Sequence, residues 1–69
     1  MHHIPVRSSN VLSVAYDENL QILEVKFRSG GTYQYLNVPL SRYTGLMSAW
    51  SKGSYIADYI KPYYRYRRV

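Results

Sequence analysis

Cysteine is absent from this chain of 69 residues, which removes disulfides, thiolate nucleophiles and zinc–thiolate sites together. Histidine is confined to His2 and His3, and two adjacent imidazoles cannot complete a four-ligand metal site without help from Asp or Glu, so no metal site is expected. Carboxylates are as scarce: Asp17, Glu18, Glu24 and Asp58 are all there are, which leaves general acid–base catalysis little to work with. No nucleotide-binding glycine loop is present either, because Ser29-Gly30-Gly31 is too short and lacks the Gly-Lys-Ser/Thr ending. These absences point to a non-catalytic, cofactor-free binding module. No apolar run approaches the roughly 20 residues of a membrane span, and Met1-His2-His3-Ile4-Pro5 has no apolar signal-peptide stretch, so a cytoplasmic monomer without membrane contact is expected.

Tyrosine is what the chain has in quantity. A domain this short buries only roughly 60% of the surface its unfolded form exposes. The nine tyrosines suit such a thin core, since each hides a large ring while its hydroxyl stays wet or finds a partner. Residues 1–69 are read as a single domain. The net charge of +5 is uneven: Arg7, Lys26 and Arg28 cancel Asp17, Glu18 and Glu24 in residues 1–38. In residues 39–69, Arg42, Lys52, Lys61, Arg65, Arg67 and Arg68 face only Asp58, a polarity that attracts nucleic acid or an acidic protein surface.

Residues 1–10 have no sustained period and read as an N-terminal arm. Leu12, Val14 and Tyr16 alternate in a first strand, and Leu23, Val25 and Phe27 in a second. A connection over Asp17 to Leu20 sets Tyr16 opposite Gln21, Val14 opposite Leu23 and Leu12 opposite Val25, with the apolar sets on one face. Two loops compete for the next reversal. A three-residue loop Ser29-Gly30-Gly31, closed by a left-handed glycine, pairs Phe27 with Tyr33 and Val25 with Tyr35 and turns both rings inward. A two-residue loop Gly30-Gly31 turns them outward beside Lys26 and Arg28 as a stacking platform for bases. The inward register is favoured because a core short of aliphatic residues needs the rings.

Beyond Asn37-Val38-Pro39 the period lengthens. Leu40, Tyr43, Leu46, Met47 and Trp50 recur at helical spacing, with Pro39 at the first helical position and Tyr43 and Trp50 as a core stripe. Ser51 or Ser54 can cap a second helix carrying Tyr55, Ile56, Tyr59 and Ile60, which Lys61-Pro62 ends. The basic, tyrosine-rich tail over residues 63–69 can add an edge strand, pack back on the sheet or stay mobile. The expected fold is α+β, a three-stranded antiparallel β-meander followed by two α-helices packed on one face, in the order βββαα.

Ser8-Ser9, Tyr16-Asp17, Leu23-x-Val25-x-Phe27, Ser29-Gly30, Tyr33-x-Tyr35, Asn37-Val38-Pro39, Ser51-Lys52-Gly53, Ile60 and Tyr64-x-x-Arg67-x-Val69 resemble, in this order, the KTSC domain. That small bacterial and phage domain occurs alone and at the C-terminus of some lysyl-tRNA synthetases. The resemblance spans essentially the whole chain and implies no established activity; the association with a tRNA ligase suggests RNA binding. It directs attention to Tyr33, Tyr35, Val38, Pro39 and Ser51, read as structural, and to Lys52, which a turn tip alone does not require.

Two classes of function follow. In the first, the amides of Ser51 to Ser54 with Lys52 and Gly53 hold a phosphate, while Lys61, Tyr64, Arg65, Tyr66, Arg67 and Arg68 add charge and stacking for RNA or another single strand. About four phosphate contacts give a log–log salt slope near −3. In the second, the tyrosine-rich tail, or Leu20 and Ile22 on the outer sheet face, docks on an acidic face of a larger nucleic-acid-handling protein. A third, plainer reading makes the tail a soluble terminus.

Overall fold

Alternating apolar residues and turn chemistry build three central strands, and short segments near either end of the chain extend the sheet at both edges. The computed structural model describes residues 1–69. Its strands are β1 (Ile4–Pro5), β2 (Val11–Asp17), β3 (Ile22–Phe27), β4 (Thr32–Tyr35) and β5 (Tyr66–Arg68), and its helices are α1 (Leu40–Ser48) and α2 (Lys52–Tyr55). α2 runs directly into a π-helical stretch, Ile56–Ile60, closed by the Lys61 N–H donating to the Ile56 carbonyl at 2.8 Å. The sheet has five strands in the order β1-β2-β3-β4-β5, every neighbour antiparallel. The α+β class therefore stands, but the three-stranded meander is corrected to five strands. The arm supplies β1, and the tail adopts the edge-strand option as β5.

Both hairpins lie two residues from the expected register, a shift that by itself keeps each side chain on its expected face. The first loop is Glu18-Asn19-Leu20-Gln21, so Asp17 pairs with Ile22, Tyr16 with Leu23 and Val14 with Val25. Asp17 Oδ1 accepts the Leu20 N–H at 3.0 Å and Gln21 takes a left-handed φ of 55°, which holds the turn one residue later than expected. A bulge at Leu12 rotates the start of β2 and puts Val11, not Leu12, in the core.

The second loop is of the expected three-residue kind but is Arg28-Ser29-Gly30. The Phe27 N–H donates to the Gly31 carbonyl at 2.9 Å, and Gly30 closes the loop with φ 110°. Arg28 is unavailable to β4 because its N–H is taken by the Asn10 carbonyl at 2.9 Å. Tyr33 then faces Val25 and Tyr35 faces Leu23, so both rings point to the helix side.

The core lies between this face and the helices. Val11, Val14, Leu23, Val25 and Tyr35 from the sheet meet Val38, Leu46, Ile56 and Ile60. Pro39 precedes the first helical residue as N-cap, its carbonyl accepting the Arg42 N–H at 3.0 Å. Two members of the predicted helical stripe lie outside the core: Leu40, at the start of α1, is 43% exposed, and because α1 stops at Ser48 and Ala49 is extended, Trp50 leaves the stripe and is fully exposed.

Candidate functional site

Most of the motif residues are scaffold. Ser8 Oγ accepts the N–H groups of Asn10 and Val11, both at 3.2 Å, and so steers the chain into β2. Asn37 takes the left-handed conformation at φ 59°, which turns the chain out of the sheet, and Val38 is fully buried. The Val38 carbonyl accepts the Tyr16 hydroxyl at 2.6 Å, and the Tyr16 ring stacks on Tyr43 at 4.7 Å. Burial, with Glu18 and Asp17 nearby, pushes the Tyr16 pKa up from its ordinary value, as burial does for Tyr35.

Lys52 has a structural occupation as well. Its Nζ donates to the carbonyls of Met47 at 3.1 Å and Ala49 at 2.8 Å, placing a cation where the end of α1 exposes unpaired oxygens. Ser51 Oγ accepts the Ser54 N–H at 3.2 Å and caps α2. A Cβ on Gly53 would stand 3.1 Å from the Asn10 side-chain nitrogen, so glycine lets the arm pack against the start of α2.

The outer face of the sheet carries a polar chain. His3 Nδ1 lies 2.8 Å from Ser13 Oγ and its Nε2 2.5 Å from Glu24 Oε2; Gln34 donates to Glu24 Oε1 at 2.7 Å, and Arg67 donates to Gln34 Oε1 at 2.8 Å. The bonds from His3 and Gln34 hold the Glu24 carboxyl below its ordinary pKa. The fold thus brings Ser13, His3 and Glu24, which lie apart in the chain, into hydrogen-bonded sequence. None of these residues lines a cleft. The chain ties the N-terminal arm across β2, β3 and β4 to β5, and Ala15 on the same face is only 1% exposed.

The remaining cations are free of carboxylates: the one ion pair joins His3 and Glu24. Beside the guanidinium of Arg42, the hydroxyls of Tyr64 and Tyr55 push its pKa up, and the group lies 5.4 Å from the Tyr59 ring centre.

At the other end of the helix side, the aromatic core opens to solvent. A cleft of about 360 Å³ is lined by Phe27, Ser29, Tyr33, Tyr35, Lys61 and Tyr66. Tyr33 meets Phe27 edge-on at 5.7 Å and Tyr66 at 5.6 Å. Lys61 Nζ sits 5.4 Å from the Phe27 ring centre and the Arg68 guanidinium 5.8 Å from that of Tyr33, within cation–π range. Strand alternation makes this site, because Tyr66 pairs with Tyr35 and Arg68 with Tyr33 on the helix side while Arg67 goes to the outer face.

The residues expected to form one binding surface are therefore divided. Lys61, Tyr66 and Arg68 gather at the cleft, with Arg65 and Tyr64 in a shallower groove beside Lys61. Lys52 and Ser54 serve the helix junction, and Gly53 lines a second cleft with Lys61. Sequence reasoning missed Phe27 and Ser29. The available signal was the end of the β3 alternation beside a glycine turn, where a strand outruns its cover.

Comparison with known proteins places the fold. A crystal structure of a KTSC domain protein from Yersinia pestis superposes with a TM-score of 0.96 at 43% identity, covering 99% of this chain and 96% of that one. An uncharacterized protein of Stutzerimonas stutzeri is 40% identical over 70 residues, 100% of this chain and 99% of its own. A lysine–tRNA ligase of Trichormus variabilis is 37% identical over 54 residues, which are 78% of this chain and 10% of the ligase. The KTSC domain model matches residues 7–66, and the chain belongs to the KTSC domain family.

Proposed function

We propose that this domain is a non-catalytic module that binds single-stranded RNA by taking an unstacked base into the cleft of Phe27, Tyr33 and Tyr66. The observation that carries the reading is the placing of Lys61 and Arg68 over the Phe27 and Tyr33 rings at an open aromatic cleft. Exposed π-faces hold bases with little regard to sequence, and adjacent cations hold the backbone. The excess of unpaired lysine and arginine supports it, as does kinship with a segment of a lysine–tRNA ligase. A cytoplasmic setting follows from the same reading.

Titration of labelled single-stranded RNA at low and moderate salt tests it. With Lys61, Arg65 and Arg68 on phosphates, the log–log salt slope is expected near −2. Tyr66→Ala should cost about 1 to 3 kcal/mol of binding. Absence of binding at low salt overturns the proposal.

Trp50 favours a second reading, protein binding. It is fully exposed, and tryptophan is a common interface anchor. If Trp50→Ala abolishes capture of a protein partner while RNA binding persists, the two surfaces are separate.

A further inference from the structure

A second cleft, of about 510 Å³, adjoins the aromatic one. Ser9, Asn10, Arg28 and Gly53 contribute to its wall, and it shares Phe27, Ser29 and Lys61 with the first. The two differ in chemistry. The first is walled by rings; the second presents hydrogen-bond donors and two cations and includes no carboxylate.

These donors are unspent. Arg28 Nε donates to the Ser8 carbonyl at 2.9 Å, which anchors the side chain while its terminal amino groups have no protein acceptor. The Lys61 ammonium, the Asn10 amide and the hydroxyls of Ser9 and Ser29 make no side-chain hydrogen bond within the protein. An anchored guanidinium, a lysine and neutral donors without an acid form an arrangement suited to a phosphate group.

We infer that the cleft between Arg28 and Lys61 seats a nucleotide phosphate whose base occupies the neighbouring aromatic cleft. Lys61 belongs to both walls and contacts the ligand at the junction of base and backbone. This inference rests on the RNA-binding reading and deepens it: the ligand is gripped as base plus phosphate, not by stacking and a diffuse positive field alone. The glycine at position 53 contributes by letting Asn10 approach the helix and stand in the cleft wall.

The experiment is an amide chemical-shift titration of the isotope-labelled full chain with uridine, its 5′- and 3′-monophosphates and inorganic phosphate. Uridine should shift residues around Tyr33 and Tyr66. One of the monophosphates should in addition shift Ser9, Asn10, Ser29 and Gly53 and bind about tenfold tighter than uridine, the gain of a charge-assisted contact. Inorganic phosphate should reach the same residues more weakly. Arg28→Gln should abolish the tenfold advantage and leave uridine binding unchanged, and an unaltered spectrum elsewhere shows that the variant is folded.

If the nucleoside and both monophosphates bind equally, or the phosphate shifts fall on Arg65 and Arg67, the phosphate seat is wrong while the base cleft survives. If inorganic phosphate alone produces the full effect, the site is a free-anion site and the link to the base is overturned. If no probe shifts the aromatic cleft, the RNA-binding reading falls with it.

Discussion

Lys52 and Lys61 bracket one helical segment and carry the same charge, yet the fold uses them in opposite ways. Lys52 turns back on the carbonyls of Met47 and Ala49, so its ammonium belongs to the junction between α1 and α2. Lys61 faces the Phe27 ring and lines every cleft of the molecule, with no carboxylate beside it. A lysine in a recurrent motif is thus no guide to a ligand until its own hydrogen bonds are accounted for. The junction holds the helices together, and the cleft is what remains open once they are held.

The sharpest break in this contrast comes from crowding the junction. A Cβ at Gly45 would collide with the Tyr55 hydroxyl, so Gly45→Val should push the Tyr55 ring out of the junction and cost about 1 to 3 kcal/mol in urea unfolding. Next in size is the pair of lysines. Lys52→Met should lower stability by about 1 kcal/mol, a fall of about 4 to 8 °C in Tm, and leave RNA affinity unchanged. Lys61→Met should move stability by less than about 0.5 kcal/mol. It should instead weaken RNA binding about fivefold and flatten the salt slope by about 0.7, as seen by titration. If both variants behaved alike, the division between junction and cleft would be wrong.

The smallest effect concerns the outer face. Hydrogen bonds from His3 and Gln34 lower the Glu24 pKa from 4.5. The unfolded chain therefore takes up this proton more readily than the folded one, and the stability Glu24 contributes is complete above its unfolded pKa. It is lost as pH falls through the lower folded value. Unfolding measured from about pH 6 to about pH 3 should show that loss, and Glu24→Gln should reduce the slope.

What could be read from the sequence was set by pattern length. β2, β3 and β4 were legible because alternation over several residues fixes the buried face, and the inward Tyr33 and Tyr35 follow from parity even though the register is two residues off. β1 and β5 span two and three residues, too short to show a period. Trp50 fits the helical stripe by spacing, but the extended Ala49 ends the helix first, which periodicity does not reveal. At the site, Lys61, Tyr66 and Arg68 were legible as cations and rings. Their meeting with Phe27 depends on β5 pairing with β4, a contact between residues more than thirty apart in the chain.

The edges of the sheet have one more consequence. An exposed edge is a template on which other chains can add strands, and short length, proline and like charge all discourage it. β1 contains Pro5, which has no N–H to offer, and β5 carries Arg67 and Arg68. Both borders are therefore poor seeds for the intermolecular strand pairing that leads to aggregation.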